Sequence, residues 1–78
     1  MKQMTIQEQE PLIKRTNNFI KKYGMSKRWL AAKTGITEQK FSYFCNSRFA
    51  LSNNQHSRLV SFLDEFERRM VGFDAVEN

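Results

Sequence analysis

LAAKTGITEQKFSYF, residues 30–44, contains two short helical segments that are separated by a glycine. Gly35 permits the positive φ that a tight turn demands, and Thr37 can accept a hydrogen bond from an orphan amide at the start of the next helix. Helices joined by so short a turn usually cross steeply, which requires a small residue at the crossing, and Ala31 supplies one. The stretch therefore predicts two helices that cross at Ala31.

The rest of the chain also predicts helices and no strands, because apolar residues recur at intervals of three and four. Pro11 suits the first turn of a first helix, Gly24 ends that helix, and Ser26 can cap the second. Gly72 is expected to end the last helix. The four helices are expected at residues 10–23, 26–35, 37–46 and 53–72. The predicted fold class is all-α, a small four- to five-helix bundle, and it forms one domain over residues 1–78 whose ends, 1–8 and 73–78, are frayed.

Composition argues against several classes of protein. The chain has 78 residues, of which 40% are hydrophobic, so it forms one small core. No apolar run approaches the ~18–20 residues of a membrane span, and the N-terminus lacks the apolar stretch of a signal peptide, so a cytoplasmic protein is predicted. Cys45 and His56 are each the only residue of their type, which leaves no internal disulfide and no Cys/His set for zinc. No cofactor is predicted, and the absence of a catalytic constellation predicts that the chain is not an enzyme.

Positive charge is concentrated in the first two-thirds of the chain. Residues 1–49 hold ten Lys or Arg against three Asp or Glu, a balance of +7, whereas residues 50–78 hold three against five, a balance of −2. Such a segregated field suits a polyanion such as nucleic acid. A soluble basic surface without a partner is the alternative that charge alone leaves open.

Five residues of the opening stretch have the spacing of a helix-turn-helix motif. An Ala is followed after three residues by a Gly, then directly by an apolar residue, with two further apolar residues six and nine positions beyond the Gly. These residues are Ala31, Gly35, Ile36, Phe41 and Phe44. In this pattern the chain resembles the phage-repressor and Cro-like, or XRE-like, helix-turn-helix family over most of its length. The resemblance implies a lambda-repressor-like bundle with the motif at about residues 26–46, and a DNA-binding transcription regulator of a phage, plasmid or other mobile element.

The third helix has a polar outer face that is almost uncharged. Turning 100° per residue from Phe41 at the centre of the buried side places amide and hydroxyl side chains on the opposite side. Such groups can read the donor and acceptor patterns of base edges in the major groove. Gln39 suits an adenine edge, Tyr43 a base or a thymine methyl group, and Glu38 either a cytosine amino group or the orientation of its neighbours. The predicted base-reading residues are Glu38, Gln39, Ser42, Tyr43 and Asn46. The alternative for Tyr43 is packing on a neighbouring helix.

Contacts with the phosphate backbone of DNA are predicted for cations and for the N-terminal ends of helices. Cations at the start of the second helix and on the third would neutralise phosphates of double-stranded DNA, and amides at the start of the fourth would donate hydrogen bonds to another. The predicted phosphate-binding residues are Ser26, Lys27, Arg28, Lys40, Asn53 and Asn54.

The last helix carries more apolar residues than one face of a small core requires. Similar regulators usually pair and read two half-sites, so a homodimer is predicted through the end of this helix. The residues proposed for this interface are Phe66, Met70, Val71 and Phe73. The alternative function is a helix-turn-helix-derived adaptor that binds a protein of a phage or of the transcription machinery, which the acidic 50–78 segment and Trp29 would support. Trp29 fits either the core or such a partner surface.

Overall fold

Four helices account for the fold. A computed structural model describes the main chain of residues 4–77 and the side chains of residues 4–70. The helices are α1 (Ile6–Tyr23), α2 (Lys27–Thr34), α3 (Glu38–Cys45) and α4 (Asn53–Glu77), and residues 4–77 contain no strand. The predicted all-α class is confirmed, with four helices in a small bundle. None of the described helices combines the length and the apolar character that crossing a membrane requires.

The first helix begins four residues earlier than predicted. The Thr5 hydroxyl accepts a hydrogen bond from the Glu8 amide, and the Glu8 carboxylate accepts one from the Thr5 amide at 2.9 Å. This reciprocal capping box satisfies two amides that would otherwise lack partners, and its bonds lower the pKa of the Glu8 carboxyl. Residues 6–8 are therefore helical rather than frayed, and Pro11, expected in the first turn, lies farther inside α1.

Glycines end α1 and α2 as predicted. Gly24 and Gly35 have φ values of 67° and 72°, in the left-handed region that side chains with a Cβ atom rarely adopt. After each glycine, the next amide donates a hydrogen bond to a carbonyl in the last turn of the preceding helix. These bonds run from Met25 to Ile20 and from Ile36 to Ala31. The chain therefore turns sharply into α2 and again into α3.

Ser47 occupies the same left-handed position after α3, with φ of 60°. The Arg48 amide donates to the Tyr43 carbonyl at 2.8 Å and the Ser47 amide donates to the Phe44 carbonyl at 3.0 Å, the two bonds of a Schellman motif. In the left-handed conformation, a residue other than glycine destabilises the folded state by roughly 1–2 kcal/mol. A glycine avoids this strain but lowers stability by about 0.4–1 kcal/mol, because it raises the conformational entropy of the unfolded chain.

We expect Ser47→Gly to raise the free energy of unfolding by about 0.5 kcal/mol, because removing the strain outweighs the added unfolded-state entropy. Urea denaturation followed by circular dichroism measures the change. The control is Ser57→Gly, at an exposed position inside α4, which should lower stability because glycine is a poorer helix former than serine. A loss of similar size in both variants would contradict the assignment of strain to Ser47.

The last helix starts where predicted and continues beyond its predicted end. Ser52 and Gln55 form a second capping box, with bonds of 3.2 Å from the Gln55 amide to the Ser52 hydroxyl and 3.1 Å from the Ser52 amide to the Gln55 side chain. The expectation that Gly72 ends this helix is wrong, since the main chain is helical to Glu77. Residues 73–77, which were predicted to be frayed, are therefore part of α4. Glycine costs a helix about 1 kcal/mol relative to alanine but does not by itself turn the chain.

All four helices contribute to one core, and the connection between α3 and α4 contributes Leu51 to it. The residues that are fully buried with the largest side chains are Phe41, Phe44, Leu30, Leu51, Leu59, Leu63, Gln9 and Thr16. Gln9, on α1, donates from Nε2 to the Leu51 carbonyl at 2.8 Å and accepts from the Leu51 amide at 2.9 Å. These two hydrogen bonds to the main chain fix the connection against α1, and they satisfy two peptide groups that are buried away from water. No sequence pattern had indicated a role for Gln9.

Candidate nucleic-acid interface

The turn between α2 and α3 is built as the motif spacing predicts. Ala31 and Ile36 are buried, Phe41 and Phe44 have no exposed surface, and Gly35 takes the left-handed conformation. Residues 35–37 alone join the two helices, and the Thr37 hydroxyl accepts a hydrogen bond from the Lys40 amide at 3.2 Å. The five residues of the helix-turn-helix spacing therefore hold α3 through its buried side and through the turn that precedes it.

The opposite side of α3 is open to solvent. Glu38, Gln39, Tyr43 and Asn46 are exposed, while Ser42 is half-buried. Tyr43 is 43% exposed and is the single large hydrophobic residue of residues 4–70 that is exposed. Tyr43 is therefore accessible to a ligand from solvent.

Two side chains of this face are joined. The Gln39 amide nitrogen donates a hydrogen bond to the Tyr43 hydroxyl at 3.2 Å, across one turn of α3. The bond leaves the amide oxygen and the second amide hydrogen of Gln39 free, which are the groups that pair with the N6 and N7 atoms of adenine. Gln39 and Tyr43 thus form one hydrogen-bonded pair on the exposed side of α3.

The predicted phosphate-binding residues at the start of α2 lie in two environments. Arg28 is exposed, whereas Lys27 is half-buried close to Cys45. Burial raises the pKa of the Cys45 thiol, and the nearby Lys27 charge opposes that shift. Ser26 caps α2, because its hydroxyl oxygen accepts a bond from the Trp29 amide at 3.0 Å. Its hydroxyl hydrogen remains available to a phosphate.

The other predicted phosphate-binding residues lie on α3 and at the start of α4. The Lys40 ammonium lies 5.8 Å from the centre of the Phe49 ring, on the connection that follows α3. Asn53 and Asn54 are exposed in the first turn of α4, where amides point out of the helix. Each of these residues can therefore be reached by a ligand from solvent.

Among the described side chains, no cation around α3 forms an ion pair, whereas Arg15 and Arg69 pair with carboxylates of α4. Arg15 bonds Asp64 at 2.6 Å and Glu67 at 3.2 Å, and Arg69 bonds Glu65 at 2.7 Å. The cations of the α2–α3 region are Lys27, Arg28, Lys33, Lys40 and Arg48. None of them takes part in an ion pair with a side chain that the structure describes. Three carboxylates of α4, those of Asp64, Glu65 and Glu67, are thus paired locally, and the unpaired cations leave a net positive charge at α2 and α3.

Arg58 is a further cation that sequence reasoning missed. Its guanidinium nitrogen lies 3.0 Å from the point that a Cβ atom on Gly35 would occupy, so this exposed side chain of α4 covers the turn before α3. The chain separates the two residues widely, and no periodicity brings them together. The one signal in the sequence is the position of Arg58 in the early turns of the last helix.

Cys45 and His56 are each the only residue of their type, and both are at least partly covered. His56 is half-buried, and burial lowers its pKa. Cys45 is buried, and its carbonyl accepts a bond from the Asn17 side chain at 3.1 Å, which ties the end of α3 to α1. No group of three His, Cys, Asp or Glu side chains within the described part of the chain is placed to hold a metal ion.

The residues predicted for a dimer interface are only partly described. Phe66 is half-buried and its ring lies 5.0 Å from Phe19 and 5.1 Å from Tyr23, so its own chain already covers much of it. Met70 is half-buried, while the side chains of Val71 and Phe73 lie outside the described residues. The homodimer stays a prediction.

Comparison with family models, curated proteins and solved structures finds no significant match. Function must therefore be inferred from the geometry and charge of the chain itself.

Proposed function

We propose that this chain is a sequence-specific DNA-binding transcription regulator that places α3 in the major groove. The observation that carries the proposal is the exposed Gln39–Tyr43 pair on a helix whose surrounding cations have no acidic partner among the described side chains. A polar face that was merely solvated would more often carry paired Lys and Glu. The resemblance to phage-repressor and Cro-like proteins adds the expectation of a cytoplasmic regulator from a phage, plasmid or other mobile element.

We assign base contacts to the exposed polar side chains of α3, and phosphate contacts to the cations and helix-start residues around them. An α-helix of about 10–12 Å diameter fits the ~12 Å width of the major groove, so the exposed side of α3 would meet base edges. Gln39 would pair with adenine, Tyr43 would contact a thymine methyl group, and Glu38 would accept from cytosine, with Ser42 and Asn46 in secondary roles. The phosphate contacts would come from Ser26, Lys27, Arg28, Lys40, Asn53, Asn54 and, from its place beside the turn, Arg58. Because one such helix covers only a few base pairs, two chains would read two half-sites.

DNA binding should depend steeply on salt. We expect promoter-region DNA of the gene to bind more tightly than random DNA at low salt, in fluorescence anisotropy. Neutralising four phosphates with Lys27, Arg28, Lys40 and Arg58 predicts a slope of log K against log salt of about −3.6 per chain. Arg28→Ala should reduce the magnitude of that slope by about 1.

The matched control is Arg69→Ala, which removes an arginine that is already paired with Glu65. It should leave the slope unchanged, because its charge does not face the proposed interface. Equal affinity for promoter and random DNA at low salt would eliminate a sequence-specific regulator. Equal effects of the two arginine variants on the salt slope would eliminate the proposed interface.

A further inference from the structure

Four half-buried aromatic rings form a continuous stripe across α2, α4 and α1. We call Trp29, Phe62, Phe66 and Tyr23, in this order, the aromatic stripe. Neighbouring ring centres are 5.6, 6.2 and 5.1 Å apart, which limits the length of the stripe to about 17 Å. Each ring keeps part of its surface in contact with solvent. The stripe involves none of the residues assigned to DNA contact.

A lysine stands at each end of the aromatic stripe. The Lys33 ammonium lies 5.6 Å from the centre of the Trp29 ring, and the Lys22 ammonium lies 5.2 Å from that of Tyr23. Both lysines are exposed, and neither forms an ion pair within the described side chains. Beside Tyr23 the surface opens into a shallow groove lined by Arg15, Asn18, Phe19, Lys22, Tyr23 and Glu67. The Glu67 carboxylate in this groove is bonded to Arg15 at 3.2 Å.

We propose that the aromatic stripe binds an acidic amphipathic helix of a partner protein. An apolar helix face would cover the rings, and one carboxylate near each end would pair with Lys33 and Lys22. About 11 helical residues span 17 Å at 1.5 Å per residue, and residues that far apart lie about 20° from each other around the helix axis. Because about 17 Å is the upper limit of the stripe's length, the fitting partner carries two acidic residues at most about three turns apart, on the edge of one apolar face.

A second copy of the chain does not fit over the whole length of the stripe, with which the predicted homodimer interface shares only Phe66. If two stripes were paired by a two-fold axis, their ends would meet, so a lysine of one chain would face a lysine of the other in either direction. Single-stranded nucleic acid also fits poorly, because bases need exposed ring faces for stacking. Here neighbouring rings are inclined at 66°, 32° and 67°, so they offer no continuous set of parallel faces, and the lysines lie over the outer two.

Trp29 is the only tryptophan of the chain, so its fluorescence reports directly on the stripe. The probe is a synthetic helical peptide of about 18 residues with leucines along one face and two glutamates about 11 residues apart beside them. We expect saturable binding to the full chain with micromolar affinity and a blue shift of Trp29 emission. A peptide with glutamine in place of both glutamates should bind about tenfold more weakly.

Charge reversal on the protein provides the second arm. The double variant Lys22→Glu, Lys33→Glu should weaken binding of the acidic peptide by at least about tenfold. The control Lys14→Glu, Arg68→Glu changes the net charge equally at exposed positions off the stripe and should leave affinity within about twofold. Thermal denaturation establishes that both variants are folded.

Three results would overturn the proposal. They are no saturable binding up to about 1 mM peptide, equal binding of the glutamate and glutamine peptides, and a Trp29 response to an oligothymidine instead of the peptide. Self-association detected by sedimentation and accompanied by the same blue shift would also overturn it, in favour of a second copy. None of these readouts uses promoter DNA, so failure here is distinct from failure of the proposed DNA binding.

Discussion

Replacement of Gln9 by methionine should lower the free energy of unfolding by about 3 kcal/mol. The two side chains have similar volume, but methionine cannot replace the bonds of 2.8 and 2.9 Å to the carbonyl and amide of Leu51. A buried polar group left without a partner costs about 1–3 kcal/mol, and here two groups lose theirs. A domain of this size has a total stability of about 4–12 kcal/mol, so the loss would lower the melting temperature by roughly 15 °C.

Thr16 on the same helix should respond in the opposite direction. Its side chain is also fully buried, but its hydroxyl oxygen has no hydrogen-bond partner. Thr16→Val replaces that hydroxyl by a methyl group of similar size, so we expect stability to rise by about 1 kcal/mol. Two buried polar residues of one helix, each replaced by an apolar residue of similar shape, are thus expected to differ in the sign of their effect.

Urea denaturation at neutral pH measures both changes. The control is Gln7→Met, the same substitution at an exposed position of α1, which should change stability by less than about 0.5 kcal/mol. If Gln9→Met lowered the free energy of unfolding no more than Gln7→Met does, the two hydrogen bonds between Gln9 and Leu51 would be energetically unimportant. If Thr16→Val lowered stability, its hydroxyl would have to be satisfied in solution.

The contrast between these two residues shows where sequence reasoning about this fold ends. Apolar periodicity and the left-handed glycines identified four helices and the anchored turn, because each signal lies within a few neighbouring residues. Gln9 was assigned no role, since its partner is the main chain of Leu51, far along the sequence, and any residue type offers that main chain. The start of α1 was predictable in principle, because the Thr-x-x-Glu spacing of Thr5 and Glu8 precedes the first apolar residues.

The candidate site divides in the same way. The exposed side of α3 followed from rotation about a helix, and the structure places Glu38, Gln39, Tyr43 and Asn46 on it. The contact of Arg58 with the turn could not be derived, because it depends on how α4 packs against α2. Likewise, the apparent surplus of apolar residues on α4 suggested a dimer, whereas Phe66 packs against rings of α1. Local geometry was predictable, and contacts between distant elements were not.

The largest functional effect is expected from Gln39→Ala, under the proposal that α3 reads DNA. A paired hydrogen bond to one base contributes about 1–3 kcal/mol of discrimination, so the preference for the selected DNA sequence over random DNA should fall by roughly tenfold to a hundredfold. Binding sites selected from a random DNA pool should also lose their preference at one base pair in each half-site. The fold should be unaffected, because Gln39 is exposed and its only described side-chain bond is to Tyr43.

Lys40→Ala is the matched control on the next residue of α3. Since its ammonium is assigned to a phosphate, this substitution should weaken binding to selected and random DNA by a similar factor and leave the preferred sequence unchanged. A uniform loss from Gln39→Ala, or a change of preferred sequence from Lys40→Ala, would reverse the assigned roles.

Tyr43→Phe tests whether Gln39 and Tyr43 act as one unit. The substitution keeps the ring and removes the hydroxyl that accepts the 3.2 Å bond from Gln39, so the amide would lose its orientation. We expect a smaller loss of discrimination than for Gln39→Ala, at the same base pair. The double variant should lose no more than Gln39→Ala alone, because the hydroxyl acts through an amide that is already absent. Additive losses, or losses at two different base pairs, would show that the two side chains read DNA independently and that the bond between them does not position Gln39.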